Sequence, residues 1–158
     1  SFERKVQEYA ALHRQVAGWV PPAEVFDDEG GFFADELRDT LIAVRGEARQ
    51  GEFFGGAVGA AFKDRIDAAL LYGVGGYSTP FFDPLVWDPT PQVNDPLPEV
   101  PGMVQWPALA IQLPPLPREL RYVFWGRDLL LVDAVANLVL DVLPAALPEG
   151  ARPGVTYH

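Results

Sequence analysis

The sequence contains no cysteine. That excludes disulfides, thiol nucleophiles and thiolate metal sites. Histidine is nearly absent as well, with only His13 and His158. Zinc takes three or four His, Cys or carboxylate ligands in fixed geometry, and neither histidine has such neighbours in sequence. His13 lies beside the apolar stripe of a helix and reads as a structural or surface residue. Serine occurs only as Ser1 and Ser78, neither in a nucleophile-elbow pattern, so a Ser-His-Asp triad has no support. Positive charge is scarce too. Twelve Lys and Arg stand against 22 Asp and Glu, a formal charge of -10. Such a surface repels phosphate backbones and anionic lipid, so no nucleic-acid partner is expected. The longest uncharged run, Val100 to Pro117, holds five prolines. A spanning helix needs about 20 apolar residues with an unbroken ladder, so no transmembrane segment is expected and membrane contact would come only through a partner.

What is present suits a folded domain. The 158 residues are 49% hydrophobic and 22% charged, a composition and length ordinary for one globular unit. The spacing predicts three amphipathic helices within 1–73. Phe2, Val6, Tyr9, Leu12, Val16 and Trp19 recur at three and four residues, and Pro21 and Pro22 end that stripe. Asp27 and Asp28 are N-cap candidates for a second helix with Phe33, Leu37, Leu41, Val44 and Ala48 on one face and Gly51 as its C-cap. The third follows Gly55-Gly56, uses Val58, Phe62, Ile66, Ala69 and Leu70, and stops at Gly73.

From 74 to 117 the composition changes. No Lys or Arg occurs between Ile66 and Pro117, and eleven of the 16 prolines lie between Pro80 and Pro117. That density forbids a helix or central strand over most of the stretch. Its aromatic content is unlike a flexible linker, so an extended, ordered arm is expected, lying on the protein or on a partner, with one helical turn between Met103 and Leu113. Residues 118–147 then read as an antiparallel meander. Leu120 to Trp125 is rich in aromatic and β-branched residues, Gly126-Arg127 fits a two-residue type II′ turn, and Leu129 to Asp133 returns. Ala134 to Asn137 turns again and Leu138 to Leu143 forms a third strand, with 148–158 as a tail. Tyr122, Phe124, Leu129, Leu131, Leu138 and Leu140 are candidates for one apolar face or its flank. The expected fold is α+β: three N-terminal helices, a proline-rich arm and a three-stranded meander, in one domain.

The pattern Tyr122-x-Phe124-x-Gly126-Arg127-Asp128-Leu129-x-Leu131-x-Asp133-x-x-Ala136-Asn137-Leu138-x-x-Asp141 resembles the C-terminal end of a family of small exported bacterial proteins. Tyr9-Ala10-Ala11-Leu12-His13-Arg14 and Ala48 to Phe54 are similar to earlier pieces of it, while 73–100 matches poorly. The family has no established activity. The resemblance therefore implies a shared fold and export to the periplasm after loss of a signal peptide, not a reaction. A first residue of Ser1 fits that, and fits Met removal or trimming equally, so a cytoplasmic location stays open.

Other constellations weigh little. Gly73-Val74-Gly75-Gly76 follows a helix instead of opening one, unlike a dinucleotide loop. Asp83, Asp88, Asp95 and Glu99 do not have EF-hand spacing and read as solvated carboxylates. Arg121, Arg127, Asp128, Asp133 and Asp141 read as cross-strand ion pairs that set register, or more sharply as an anchor between sheet and helices or sheet and partner. No catalytic residue, metal or cofactor is expected, and the protein is not expected to be an enzyme. Phe81, Phe82, Trp87 and Trp106 among the prolines, with Trp125 beside the turn, form the expected partner-binding surface. The reading that follows is a protein–protein interaction module: an accessory subunit stabilising a larger bacterial assembly, for example a photosynthetic or respiratory membrane complex, from its aqueous side. A further reading is a purely structural envelope protein, which differs in forming homo-oligomers alone. The alternative is a small-molecule binding module or a hydrolase with a pocket between helices and sheet.

Overall fold

A computed structural model describes residues 1–20, 31–71, 89–98, 103–104 and 107–148. The first helix, α1 (Phe2–Ala17), starts where Ser1 Oγ accepts from Arg4 N at 3.2 Å. Glu3 in its first turn and Arg14 in its last complement the helix dipole. Its buried side is Phe2, Val6, Tyr9, Ala10, His13 and Val16. The helix ends at Ala17, ahead of the expected prolines, and Trp19 beyond it is 57% exposed. Pro21, Pro22, Asp27 and Asp28 lie outside the described residues.

The second helix, α2 (Gly31–Arg45), buries Leu37 and Leu41 completely. Its end differs from the expected one. Gly46, at φ +67, closes it, with its N–H on Ile42 O, and Ala48 is no longer helical. A left-handed residue without a Cβ stops a helix cheaply, so the earlier glycine acts first. Gly51 belongs to the following turn instead. The third helix, α3 (Ala57–Leu71), buries Gly59, Phe62, Ile66, Ala69 and Leu70. Gly59 is where this helix meets its neighbours, because an added Cβ would run into the Phe54 carbonyl oxygen and press on Leu143. Gly73 is outside the described residues.

The sheet is antiparallel, in the order β1 (Met103–Val104), β2 (Leu120–Trp125), β3 (Asp128–Asp133) and β4 (Leu138–Leu143). The three-stranded meander thus forms as the strand composition and turn residues predict, and β1 adds a short fourth strand by pairing Met103 with Trp125 and Val104 with Phe124. Those two residues are therefore strand. The helical turn begins only at α4 (Pro107–Ala110), where Pro107 takes the first position that needs no N–H. Trp125 pairs with Asp128 across a two-residue turn. Gly126 has φ +58 and Arg127 does not have a positive φ, which is the type II′ pattern.

Both faces of the sheet are apolar and buried. Tyr122, Phe124, Leu129, Leu131, Leu138 and Leu140 join the helices in one core with Phe2, Phe54 and Phe62. Phe62 packs edge-on to Phe2, Phe54 and Tyr122, with ring centroids 4.9 to 6.0 Å apart. The opposite face carries Val123, Trp125, Leu130, Val132, Val139 and Val142, clustered with Leu97. Leu97 arrives on the segment 89–98, which runs beside β4: Asn94 N donates to Val139 O and Val139 N to Asp95 O, both at 2.9 Å. That described part of the arm lies on the protein itself. No described helix is long and apolar enough to cross a membrane.

Candidate functional site

The register between β3 and β4 shifts once. Leu131 pairs with Asp141 and Val132 with Val139, leaving Leu140 as the extra residue. A bulge changes which way the following side chains point. Leu138 and Leu140 therefore lie in the helix-side core and Val142 in the other, with Asp141 at the switch. Asp141 is fully buried and accepts four backbone N–H groups: Gly51 and Val142 on Oδ1, both at 2.8 Å, and Phe53 and Phe54 on Oδ2 at 2.7 and 2.8 Å. A carboxylate so surrounded holds the turn before α3 onto the sheet.

Asp133, at the end of β3, is the second buried acid. Its Oδ1 accepts from Val135 and Ala136 N, forming the turn into β4, where Asn137 takes φ 54. Its Oδ2 accepts from the Tyr9 hydroxyl at 2.7 Å and meets His13 Nδ1 at 2.5 Å. An ionised carboxylate only accepts, which assigns the imidazole proton to Nδ1. Burial and the Asp133 charge together push the Tyr9 phenol far above its ordinary range. Tyr9 and His13 stand one helical turn apart on α1 and so reach the same carboxylate.

His13 also lines an open cleft of about 430 Å³ with Arg14, Ala17, Arg118, Glu119 and Val135. Arg14 grips Glu119 in a two-pronged pair, Nε to Oε1 at 2.8 Å and Nη2 to Oε2 at 3.2 Å. That pair holds the Glu119 carboxyl below the usual glutamate range. An imidazole fixed through Nδ1 by a buried carboxylate presents Nε2 as a proton acceptor or ligand-binding nitrogen. No serine, threonine or tyrosine hydroxyl lines the cleft among the described residues, and no described cluster of His, Asp or Glu could hold a metal ion.

The hairpin charges behave differently from the ion pairs expected of them. None of Arg121, Arg127, Asp128, Asp133 or Asp141 forms a cross-strand ion pair among the described residues. Apart from Arg121, their partners are backbone groups, hydroxyls and His13, because both sheet faces are dry and a buried carboxylate needs several close donors. Asp128 accepts from Thr90 Oγ1 and Ala145 N, and Arg127 Nε donates to Leu147 O. Asn137 Nδ2 donates to Leu97 O. The sharper sequence reading, an anchor between sheet and helices, describes Asp133 and Asp141. Trp125 is only 6% exposed and packs with Val123 and Leu130, so it is a core residue and not part of an exposed partner surface. Phe81, Phe82, Trp87 and Trp106 lie outside the described residues. The role of Tyr9 in the Asp133 cluster was missed, although its spacing of four from His13 was visible.

No protein-family model matches the chain, and no curated protein or solved structure matches it either.

Proposed function

We propose that the protein acts by binding another protein, as a non-catalytic accessory subunit that steadies a larger bacterial assembly from its aqueous side, in the periplasm. One observation supports this above others: the buried carboxylates of Asp133, Asp141 and Glu119 are each engaged by several donors of this same chain. Their chemistry is committed to holding α1 and the 51–54 turn on the sheet. The described clefts are open and mostly apolar at their walls. Exposed Leu71 and Ile111, at 81% and 76%, add apolar surface outside the core. The aromatic residues Phe81, Phe82, Trp87 and Trp106 supply the proposed contact.

Crosslinking of the native protein in its own cells, followed by mass spectrometry, tests the reading. Crosslinks from 74–117 to one reproducible partner support it, and their loss when the four aromatics are changed to Ala in a folded protein strengthens it. Recovery of the free monomer alone counts against it. A second reading, a small-molecule site or hydrolase, is favoured by the His13–Asp133 pair at the cleft. Turnover of an ester or amide that His13→Gln abolishes would establish that reading instead.

A further inference from the structure

Beside β2, next to the helix-side core, lies a cleft whose one cation the binding reading does not use. It is open, about 460 Å³ in volume, and sits between α4, the Pro114–Leu116 segment and β2, walled by Ala110, Ile111, Pro115, Leu116, Arg121 and Tyr122. Its shape is fixed from below, because the Tyr122 hydroxyl donates to Pro114 O at 2.7 Å and the prolines restrict the backbone. The walls are apolar apart from one cation. Arg121 Nε is buried without a hydrogen-bond partner, and Arg121 makes no ion pair among the described residues. A buried donor with no acceptor is rare in a folded protein and points to a missing partner.

We infer that this cleft is a binding site for a single-chain aliphatic carboxylate, the chain lying against Ile111, Pro115 and Leu116 and the carboxylate accepting from the Arg121 guanidinium. Charge complementarity selects the head group. A cation set without a partner in an apolar wall favours an anion that brings its own apolar body, locally and against the overall charge of -10. The volume is within the range of small-ligand sites. The cleft shares Ile111 with the apolar surface named above, but titration of the isolated protein reads the cleft alone, so it can fail without the protein contact failing.

Isothermal titration of the whole protein with sodium decanoate, below its micelle concentration, tests the inference against decyltrimethylammonium. One saturable site for decanoate and none for the cation is expected. Arg121→Met keeps the aliphatic stem and removes the donors, so affinity should fall about tenfold or more at unchanged helix and strand content. Ile111→Asp, at an exposed position, places a like charge on the wall and should weaken decanoate in the same way without touching the core. Absence of saturable binding, equal binding of both amphiphiles, or indifference to both substitutions overturns the assignment.

Discussion

Tyr9 and His13 on the first helix converge on one oxygen of Asp133, more than a hundred residues away on β3. The other oxygen of the same carboxylate builds the β3–β4 turn through Val135 and Ala136. Asp133 therefore joins helix docking and hairpin formation in a single group. Asp133→Ala should destabilise by about 3–5 kcal/mol, since it strands four donors in a dry site. Tyr9→Phe removes one donor only and should cost about 1–2 kcal/mol. Chemical denaturation of both variants checks the ranking, and equal losses would contradict it.

Asp141 is tied to the bulge in β4. Replacing it with Asn keeps the shape but offers one acceptor oxygen and an NH2 group that faces backbone donors. A loss of about 2–4 kcal/mol is expected. Amide hydrogen exchange should show Gly51, Phe53 and Phe54 losing protection before the strands do. Uniform loss over the whole chain would mean that the carboxylate does not act on that turn.

Tyr9 and Tyr122 are both pushed above the ordinary tyrosine range, in each case first by burial. A phenol whose folded pKa is raised contributes stability in full below about 10, and loses it as pH rises past that value, because only the unfolded state ionises readily there. Absorbance titration at alkaline pH should therefore show these two of the five tyrosines ionising together with unfolding. Smooth ionisation of all five in a folded protein would refute the burial argument.

Glu119 shows the opposite sign. Its carboxyl is held below the usual range, first by the Arg14 hydrogen bonds. The stabilisation is present above the unfolded glutamate range, about 4.3, and is lost as pH falls through the lowered value. Arg14→Met should move the Glu119 titration upward in carbon-detected NMR and flatten the acid limb of the stability curve. The exposed guanidinium limits the effect on stability near neutrality.

Gly59 allows α3 to sit against the Phe54 carbonyl. Gly59→Ala, which would favour an isolated helix, should instead cost about 1–3 kcal/mol here through overpacking. Thermal unfolding decides the sign.

Much of the architecture is local and was legible in the residues. The stripe Phe2, Val6, Tyr9 and Val16 and the aromatic and β-branched runs flanking Gly126-Arg127 report helix and hairpin directly, because side-chain periodicity and turn chemistry act within a few residues. The end of α2 at Gly46, the bulge at Leu140 and the pairing of 103–104 with β2 were not legible in that way. The last two depend on a partner far along the chain, whereas Gly46 stops α2 locally and acts before Gly51.

The same division runs through the polar groups. Composition by itself determined the absence of thiol chemistry and the negative net charge, and the spacing of residues along the chain determined the α+β order of elements. Only the tertiary structure decided that Asp133 would be shared by Tyr9 and His13, that Asp141 would collect four amides, and that Trp125 would be core. The physical reason is dielectric. A carboxylate in water can take any partner or none, but one carried into a dry sheet must be met by donors from whichever elements pack against it.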